Sequence, residues 1–139
     1  MIVGSGRVGS AVARQMLDEG HEVSVLDEDP EAIAQLEKGL DDSWVDSGGS
    51  FTVGTALEME ALEEAGIERA DAFVASTDGD NTNLVIAQIA QKRFNIKTVV
   101  VRVLDPARAS WYEEQGLRTV CPTKIAIEML DDAVRGAIA

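Results

Sequence analysis

The sequence has few of the residues on which most catalytic and metal sites depend. Its 139 residues include one cysteine (Cys121), one histidine (His21) and one tyrosine (Tyr112). A single cysteine cannot form an internal disulfide, and one cysteine with one histidine is too few for a structural zinc site. Because Cys121 ends an apolar run, we expect it to be a buried core thiol. We expect no catalytic and no metal-ligating residues, and therefore no enzyme.

Basic residues are also scarce. Lys and Arg number 12 against 25 Asp and Glu, which gives a formal net charge of −13. This charge would repel a phosphate backbone, so nucleic acid is not an expected partner. No apolar run approaches the roughly 18 residues that span a bilayer, and the chain enters its first predicted strand at once, without a signal peptide. We therefore expect a cytoplasmic protein without direct membrane insertion.

A glycine pattern stands at the start of the chain. A short apolar run, residues 1–3, passes directly into Gly4-Ser5-Gly6-Arg7-Val8-Gly9, which opens a helical pattern. In a dinucleotide-binding turn the first glycine allows a tight turn, the second leaves room for a pyrophosphate, and the third lets the helix pack close to the strand. Amide N–H groups and the dipole at the helix start then attract the anion. The alternative is a plain connection between a strand and a helix.

A carboxylate follows the second predicted strand at the distance that such a site requires. Asp27 lies 18 residues beyond Gly9, about where a ribose-binding acid is expected. The acids of Asp27-Glu28-Asp29 occupy the place of a 2′-phosphate, and residues 27–37 contain no Lys or Arg, so we predict NAD(H) or an adenosine nucleotide (ATP, ADP or AMP) over NADP. Arg7, a cation in the first helical turn, is best explained by a nearby phosphate. The alternatives are a helix cap for Asp27 and a solvated surface position for Arg7.

Apolar runs bounded by glycine and polar residues predict strands alternating with helices. Strands are predicted over residues 1–3, 22–26, 51–53, 72–75, 98–103 and 118–121, and helices over residues 7–19, 30–39, 57–65, 82–94, 106–115 and from 123 onward. The inner stripes are predicted to include Val8, Val85 and Ile89, and residues 41–50 are predicted to be a polar loop. The alternation predicts a Rossmann-like, doubly wound parallel sheet of six strands in a single α/β domain. The loops that follow the first five strands are predicted to form one crevice.

Several stretches together resemble one family. They are Gly4-Ser5-Gly6-Arg7-Val8-Gly9, Gly20-His21-Glu22-Val23, residues 65–75 with the acidic Ser/Thr loop and Asn83-Leu84 after them, and Val101-Arg102-Val103 with Asp105-Pro106. The combination covers essentially the whole chain and resembles the nucleotide-binding N-terminal domain of RCK proteins. These are the TrkA and KtrA type subunits that regulate bacterial potassium uptake, and related domains gate potassium channels. The resemblance implies an RCK N-terminal domain over residues 1–139, with residues 123–139 as a terminal dimer or crossover helix and without a C-terminal RCK domain.

The resemblance also implies which residues hold the ligand. In the family the glycine-rich turn and its arginine hold the phosphates, the acid after strand two holds the adenosine ribose, and the loops after strands three and four reach the adenine and the rest of the ligand. The implied binding residues of this chain are Gly4, Ser5, Gly6, Arg7, Val8, Gly9, Asp27, Glu28, Gly54, Thr55, Ala56, Ser76, Thr77, Asp78 and Arg102. Arg102, on strand five, is implied as a contact to phosphate or to the second half of a dinucleotide. Two segments depart from the family pattern: residues 54–57 lack its Gly-Asp-Gly/Ala-Thr, and residues 122–124 lack the carboxylate with which some members hold a divalent ion.

The last predicted helix carries a clue to the partner. Its apolar stripe consists of Ile127, Leu130, Val134 and Ile138, widened by Ile125, Met129 and Ala133. Docking on its own sheet is one interpretation. We favour docking on a second copy, because the resemblance implies a homodimer and, as a larger assembly, an octameric ring. It also implies a potassium-transporting membrane subunit as the partner, peripheral to the inner membrane, whose activity nucleotides control by shifting populations of dimer arrangements.

Two other functions remain open from the sequence. The chain could be the cofactor-binding fragment of an NAD-dependent dehydrogenase, which needs a proton donor near the nicotinamide. His21 is predicted at the amino end of the sheet, far from the crevice, and Tyr112 lacks a Tyr-x-x-x-Lys partner. The chain could also be an interaction module that keeps the fold without a nucleotide.

Overall fold

The computed structural model describes residues 1–138, with side-chain surroundings for residues 1–136. Within this range six strands form one sheet: β1 (Ile2–Val3), β2 (Ser24–Asp27), β3 (Ser50–Val53), β4 (Ala72–Ala75), β5 (Thr98–Arg102) and β6 (Arg118–Val120). The helices between and after them are α1 (Arg7–Asp18), α2 (Ile33–Leu36), α3 (Met59–Glu64), α4 (Asp80–Gln88), α5 (Pro106–Glu114) and α6 (Pro122–Ile138). Turns of 3-10 helix precede α2 (Pro30–Ala32) and follow α3 (Ile67–Arg69), and a π-helical turn (Ile89–Arg93) extends α4.

The strands of this range are all parallel, in the order β3-β2-β1-β4-β5-β6. In this doubly wound order β2 and β3 lie on one side of β1, and β4, β5 and β6 lie on the other. The predicted fold is therefore confirmed. Although β1 is short, it joins the two halves, because Val3 pairs with Leu26 of β2 and with Ala75 of β4. The carboxyl ends of β1 and β4 therefore lie at the switch point where sheets of this kind bind ligands.

Both faces of the sheet are buried. Alternate residues of a strand point to opposite faces, and Ile2 and Val25 contribute to a core beneath α1 and α2, whereas Val3 and Leu26 contribute to a larger core beneath α3, α4 and α5. Burial on both faces explains why the central strands β1, β4 and β5 are nearly continuous apolar runs. Cys121 is 6% exposed at the margin of the larger core, as predicted.

Two predicted core positions are wrong. Val85 of α4 is 44% exposed and Val8 of α1 is 47% exposed. In α4 the fully buried Asn83 faces the sheet, because its amide donates to backbone carbonyls in the turn after β4 and at the end of β5. A residue two positions further along a helix points to the opposite side, which turns Val85 to solvent. In α1 the buried face begins one residue later, at Gly9, which packs on the preceding turn.

The segment 41–50, predicted to be a polar loop, closes over a tryptophan. Trp44 is fully buried in the smaller core. Its backbone N–H donates to Glu37 Oε2 at 2.8 Å, and its indole Nε1 donates to the Ser50 carbonyl at 3.0 Å. A Cβ at Gly49 would overlap the indole ring. The sequence pattern missed this contact because a single aromatic residue among polar neighbours has no periodicity.

Helix α6 leaves the sheet after β6 with its apolar face uncovered. Ile127, Leu130 and Val134 are 57%, 68% and 58% exposed, so the helix does not dock on its own sheet. The side chain of Ile138, the next predicted member of the stripe, lies outside the described residues. Across the described part of the chain, no helix combines the length and the apolarity that a membrane span needs.

Candidate functional site

The carboxyl ends of the first four strands surround a crevice of about 690 Å³. Its walls come from the turns after β1 and β2, the segment after β3 and the turn between β4 and α4. This volume lies within the range of small-molecule and cofactor sites, which is roughly 300–1,000 Å³. The crevice is therefore large enough for a nucleotide, and it lies where doubly wound sheets bind one.

Two of the three motif glycines are required by packing within the protein. Gly4 has a φ of +94°, and a Cβ on it would lie 2.5 Å from the Ser76 carbonyl oxygen. A Cβ on Gly9 would overlap the Gly4 carbonyl oxygen and lie 2.8 Å from Ser76 Oγ. The Ser76 hydroxyl donates to the carbonyl oxygens of Val3 and Gly4, at 3.0 and 2.9 Å. The start of α1 is thus held tightly against the ends of β1 and β4.

The middle glycine differs, because it faces open space. Gly6 lines the crevice, and a Cβ on it would have no atom within 4 Å in the described structure. Gly6 is also the N-cap of α1. In the described structure no side chain caps this helix, and its first turn contains no acidic residue. The N–H groups of that turn and the helix dipole favour an anion there. These features fit a phosphate group of a nucleotide placed against bare backbone.

Asp27 contacts this turn directly, and hydrogen bonds from Ser5 and Asp29 fix its carboxylate. Its Oδ2 accepts hydrogen bonds from Ser5 N at 2.8 Å and from Ser5 Oγ at 3.3 Å, and its Oδ1 accepts one from Asp29 N at 2.9 Å. A carboxylate oxygen can accept further hydrogen bonds, so Asp27 suits the hydroxyl groups of a ribose. Glu28 and Asp29 line the crevice beside it, which would disfavour a 2′-phosphate.

The structure brings most of the predicted site residues together. Eleven of them line the crevice: Gly4, Ser5, Gly6, Asp27, Glu28, Gly54, Thr55, Ala56, Ser76, Thr77 and Asp78. Four do not. Arg7 and Val8 are exposed on the first turn of α1, Gly9 is buried beneath it, and Arg102 lies behind the turn between β4 and α4.

The sequence motifs did not predict part of the lining. Besides Asp29, which was already expected to occupy the place of a 2′-phosphate, the crevice is bounded by Val3, Leu26, Glu31, Ala32, Gln35, Leu57, Gly79 and Thr82. Those from residues 29–35 belong to the segment that follows Asp27, where a short 3-10 turn, Pro30–Ala32, begins with a side-chain cap. Asp29 accepts a hydrogen bond from Glu31 N at 2.9 Å, ahead of Pro30 at the helix start. This Asp-Pro-Glu cap is visible in the sequence and predicts a helix start there, but not which of the following side chains face the crevice.

The ionisable side chains that the structure describes in the crevice lining are all carboxylates. Among the described residues that bound it are five carboxylates and no Lys, Arg, His, Cys or Tyr. Tyr112 lies elsewhere, buried, with its hydroxyl donating to the Asp80 carbonyl at 2.7 Å, and this burial raises its pKa above the ordinary value. No group of three or more potential metal ligands occurs in the described part of the chain. The arrangement can bind and orient a ligand through hydrogen bonds and backbone N–H groups.

The amino-acid sequence is similar to those of known proteins. A family model for the TrkA-N domain matches residues 1–122. The Trk system potassium uptake protein TrkA of Streptomyces coelicolor is 38% identical over 124 residues, which are 89% of this chain and 52% of that protein. The chain thus spans about half the length of this curated relative.

Two solved structures share the fold. The Kef CTD of Shewanella denitrificans in AMP-bound form has a TM-score of 0.75 and 26% identity, over 96% of this chain and 78% of that one. The GsuK channel bound to NAD has a TM-score of 0.63 and 18% identity, over 87% of this chain and 20% of that one, a likeness that concerns the fold alone.

Proposed function

This chain belongs to the TrkA-N domain family, and from that premise we propose that it is a regulatory nucleotide-binding domain that controls a potassium transporter or channel. Its ligand is NAD(H) or an adenosine nucleotide, ATP, ADP or AMP. The observation that carries the proposal is the pairing of Gly6, bare and open to the crevice, with the fixed carboxylate of Asp27. A phosphate at the start of α1 and a ribose on Asp27 satisfy both groups with one ligand.

The relatives support the ligand class. The Kef CTD, at 26% identity, is described as bound to AMP, and the GsuK channel as bound to NAD. Both ligands contain an adenosine joined to phosphate, which is the part that the turn after β1 and the end of β2 would hold. The binding residues of this proposal are those that line the crevice, together with Arg7, whose side chain extends from the first turn of α1.

The partners follow from the same proposal. The protein acts as a homodimer within an octameric ring, and it binds a potassium-transporting membrane subunit from the cytoplasmic side of the inner membrane. A nucleotide that binds two dimer arrangements with different affinity shifts their populations, and the membrane subunit responds to that shift. We expect the domain to bind its ligand without turnover, since the described lining residues include no His, Lys or Tyr, the side chains that commonly supply the proton beside a nicotinamide.

Calorimetric titration with NAD, NADH, ATP, ADP and AMP tests this function. We expect binding of at least one of them, with the ligand recovered chemically unchanged. Failure of all five to bind would remove the proposal. Reduction of NAD or hydrolysis of ATP by the protein would instead favour an enzyme.

Asp27→Asn should weaken nucleotide binding about a hundredfold, which is the range expected for hydrogen bonds to a charged group. Both carboxylate oxygens accept from a backbone N–H, so either orientation of an amide would place its NH₂ against a donor, Ser5 N or Asp29 N. The amide also removes one acceptor from the ribose. The affinity is measured by titration calorimetry, with Asp42→Asn, an exposed carboxylate outside the crevice, as the matched control. Equal affinities for the two variants would rule out this role of Asp27.

Leu130→Asp with Val134→Asp should convert the dimer to a monomer. These side chains lie 68% and 58% exposed on the apolar face of α6, and a buried interface of that face would have to desolvate two carboxylates. We expect the dimer dissociation constant to rise at least about a hundredfold. Sedimentation velocity over a concentration series gives the constant, with Asp132→Asn on the charged side of α6 as the control. A double variant that stays dimeric would place the interface elsewhere.

A further inference from the structure

The guanidinium of Arg102 is directed into the protein behind the crevice wall. Arg102 ends β5, and its side chain is 14% exposed. Its Nη2 donates to the Thr77 carbonyl at 2.8 Å and, more weakly, to Asp78 Oδ1 at 3.4 Å. Its Nε is covered by protein atoms and has no partner among the described residues, so a ligand in the crevice cannot reach it. Thr77 and Asp78 line the crevice, whereas Arg102 does not.

Asn83 of α4 holds the same turn from a second side. It is fully buried, and its Oδ1 accepts hydrogen bonds from Thr77 N at 2.9 Å and from Thr77 Oγ1 at 2.6 Å. Its Nδ2 donates to the carbonyls of Thr77 and Arg102, each at 3.0 Å. Thr77 is therefore held at its N–H, its carbonyl and its hydroxyl by side chains from α4 and β5.

We propose that Arg102 is a positioning residue that fixes the turn after β4 as a wall of the nucleotide crevice, and that it makes no contact with the ligand's phosphates. The inference rests on the proposed function, since it concerns how that site binds. Its physical basis is preorganisation: a turn that is already ordered does not lose conformational freedom when the ligand arrives. The bond to Asp78 contributes little, because it is long and Asp78 is fully exposed. The bond to the Thr77 carbonyl, together with Asn83, provides the order.

The ligand series adenosine, AMP, ADP and ATP separates positioning from phosphate contact. Arg102→Met keeps most of the aliphatic stem and removes every donor, whereas Arg102→Lys keeps one cationic donor that can reach the Thr77 carbonyl. Titration calorimetry of each variant should show Arg102→Met weakening all four ligands by one common factor, on the order of tenfold, which matches the loss of one charge-assisted hydrogen bond. Arg102→Lys should recover most of that loss.

A matched control removes a positive charge without touching the wall. Arg108 lies on α5 with its side chain 48% exposed, where it pairs with Asn81 and Asp105. Arg108→Met should leave all four affinities unchanged, so an equal effect of both variants would assign the loss to general electrostatics and overturn the proposal.

Two further results would overturn it. A loss that grows from adenosine to ATP would make Arg102 a phosphate contact. A lower melting temperature with unchanged affinities, for Arg102→Met and Arg102→Lys alike, would make it a purely structural residue. If the unmodified chain binds none of the four ligands and none of the dinucleotides, the proposed function itself fails. That outcome is distinguishable from the two results above, because it is seen in the unmodified chain before any variant is measured.

Discussion

Gly6→Val is expected to lower nucleotide affinity at least about a hundredfold while the protein stays folded, because a side chain would occupy the place of a diphosphate. The backbone at Gly6 has φ −71° and ψ −161°, an extended conformation that valine adopts readily. A Cβ there meets no protein atom within 4 Å. The affinity is measured by titration calorimetry with AMP and NAD, and the fold by circular dichroism and thermal melting.

Gly136→Val is the matched control for this substitution. Gly136 lies in α6, far along the chain from the crevice, and a Cβ there also meets no atom within 4 Å. This control should bind nucleotides as the unmodified chain does. A Gly6→Val variant that binds as tightly as the control would show that no phosphate lies against the first turn of α1, and the proposed function would lose the observation on which it rests.

Gly9→Ala is expected to destabilise the protein by about 3 kcal/mol, the upper part of the range for inserting a methyl group into a packed contact. The methyl would overlap the Gly4 carbonyl oxygen and crowd Ser76 Oγ, so α1 would have to move away from the ends of β1 and β4. In an exposed helix the same substitution usually stabilises, by up to about 1 kcal/mol. For a domain of this size we expect the melting temperature to fall by roughly 10 °C.

The sign of the effect is the decisive part of this second prediction. Gly136→Ala, also a helical glycine but without a neighbour within 4 Å, should leave the melting temperature unchanged or raise it slightly. Thermal melts followed by circular dichroism compare the two variants. If Gly9→Ala melts together with Gly136→Ala, the contact between α1 and the turn after β1 is looser than the structure describes. Gly9 and Gly6 would then not differ in the way proposed, in which Gly9 is required by packing and Gly6 by the ligand.

Together these substitutions divide the glycine motif by physical role. Gly4 and Gly9 make the close approach of β1, α1 and β4 possible, whereas Gly6 leaves space. A variant at Gly9 should therefore affect stability and binding together, and a variant at Gly6 binding alone. This distinction gives the proposed site an internal test that does not depend on which nucleotide binds.

The acidic lining bears on the choice of ligand. The crevice is bounded by Asp27, Glu28, Asp29, Glu31 and Asp78, and Arg102 is not among the residues that line it. The cation nearest to the glycine turn along the chain is Arg7, which begins α1 and is exposed. A ligand with one or two phosphate groups would meet less repulsion from this lining than a triphosphate without a counter-ion.

The order of the elements and the place of the crevice could be predicted from the amino-acid pattern alone. Apolar runs of strand length, each closed by a glycine or a polar turn, specify parallel strands buried on both faces, and the connections between them are long enough for crossover helices. Asp27 and the glycine motif could be assigned because both lie directly at strand ends, where the topology alone brings them together.

Which side chains face the crevice and which face the core depends on contacts between distant segments. The amide of Asn83 donates to the carbonyls of Thr77 and Arg102, and these bonds turn that side of α4 toward the sheet. Val85 therefore faces solvent. Trp44 is a core residue because it forms hydrogen bonds with Glu37 and Ser50. Arg102 donates a hydrogen bond to the Thr77 carbonyl, 25 residues away in the chain. Each outcome depends on hydrogen bonds between segments that only folding brings into contact, and no local periodicity carries that information.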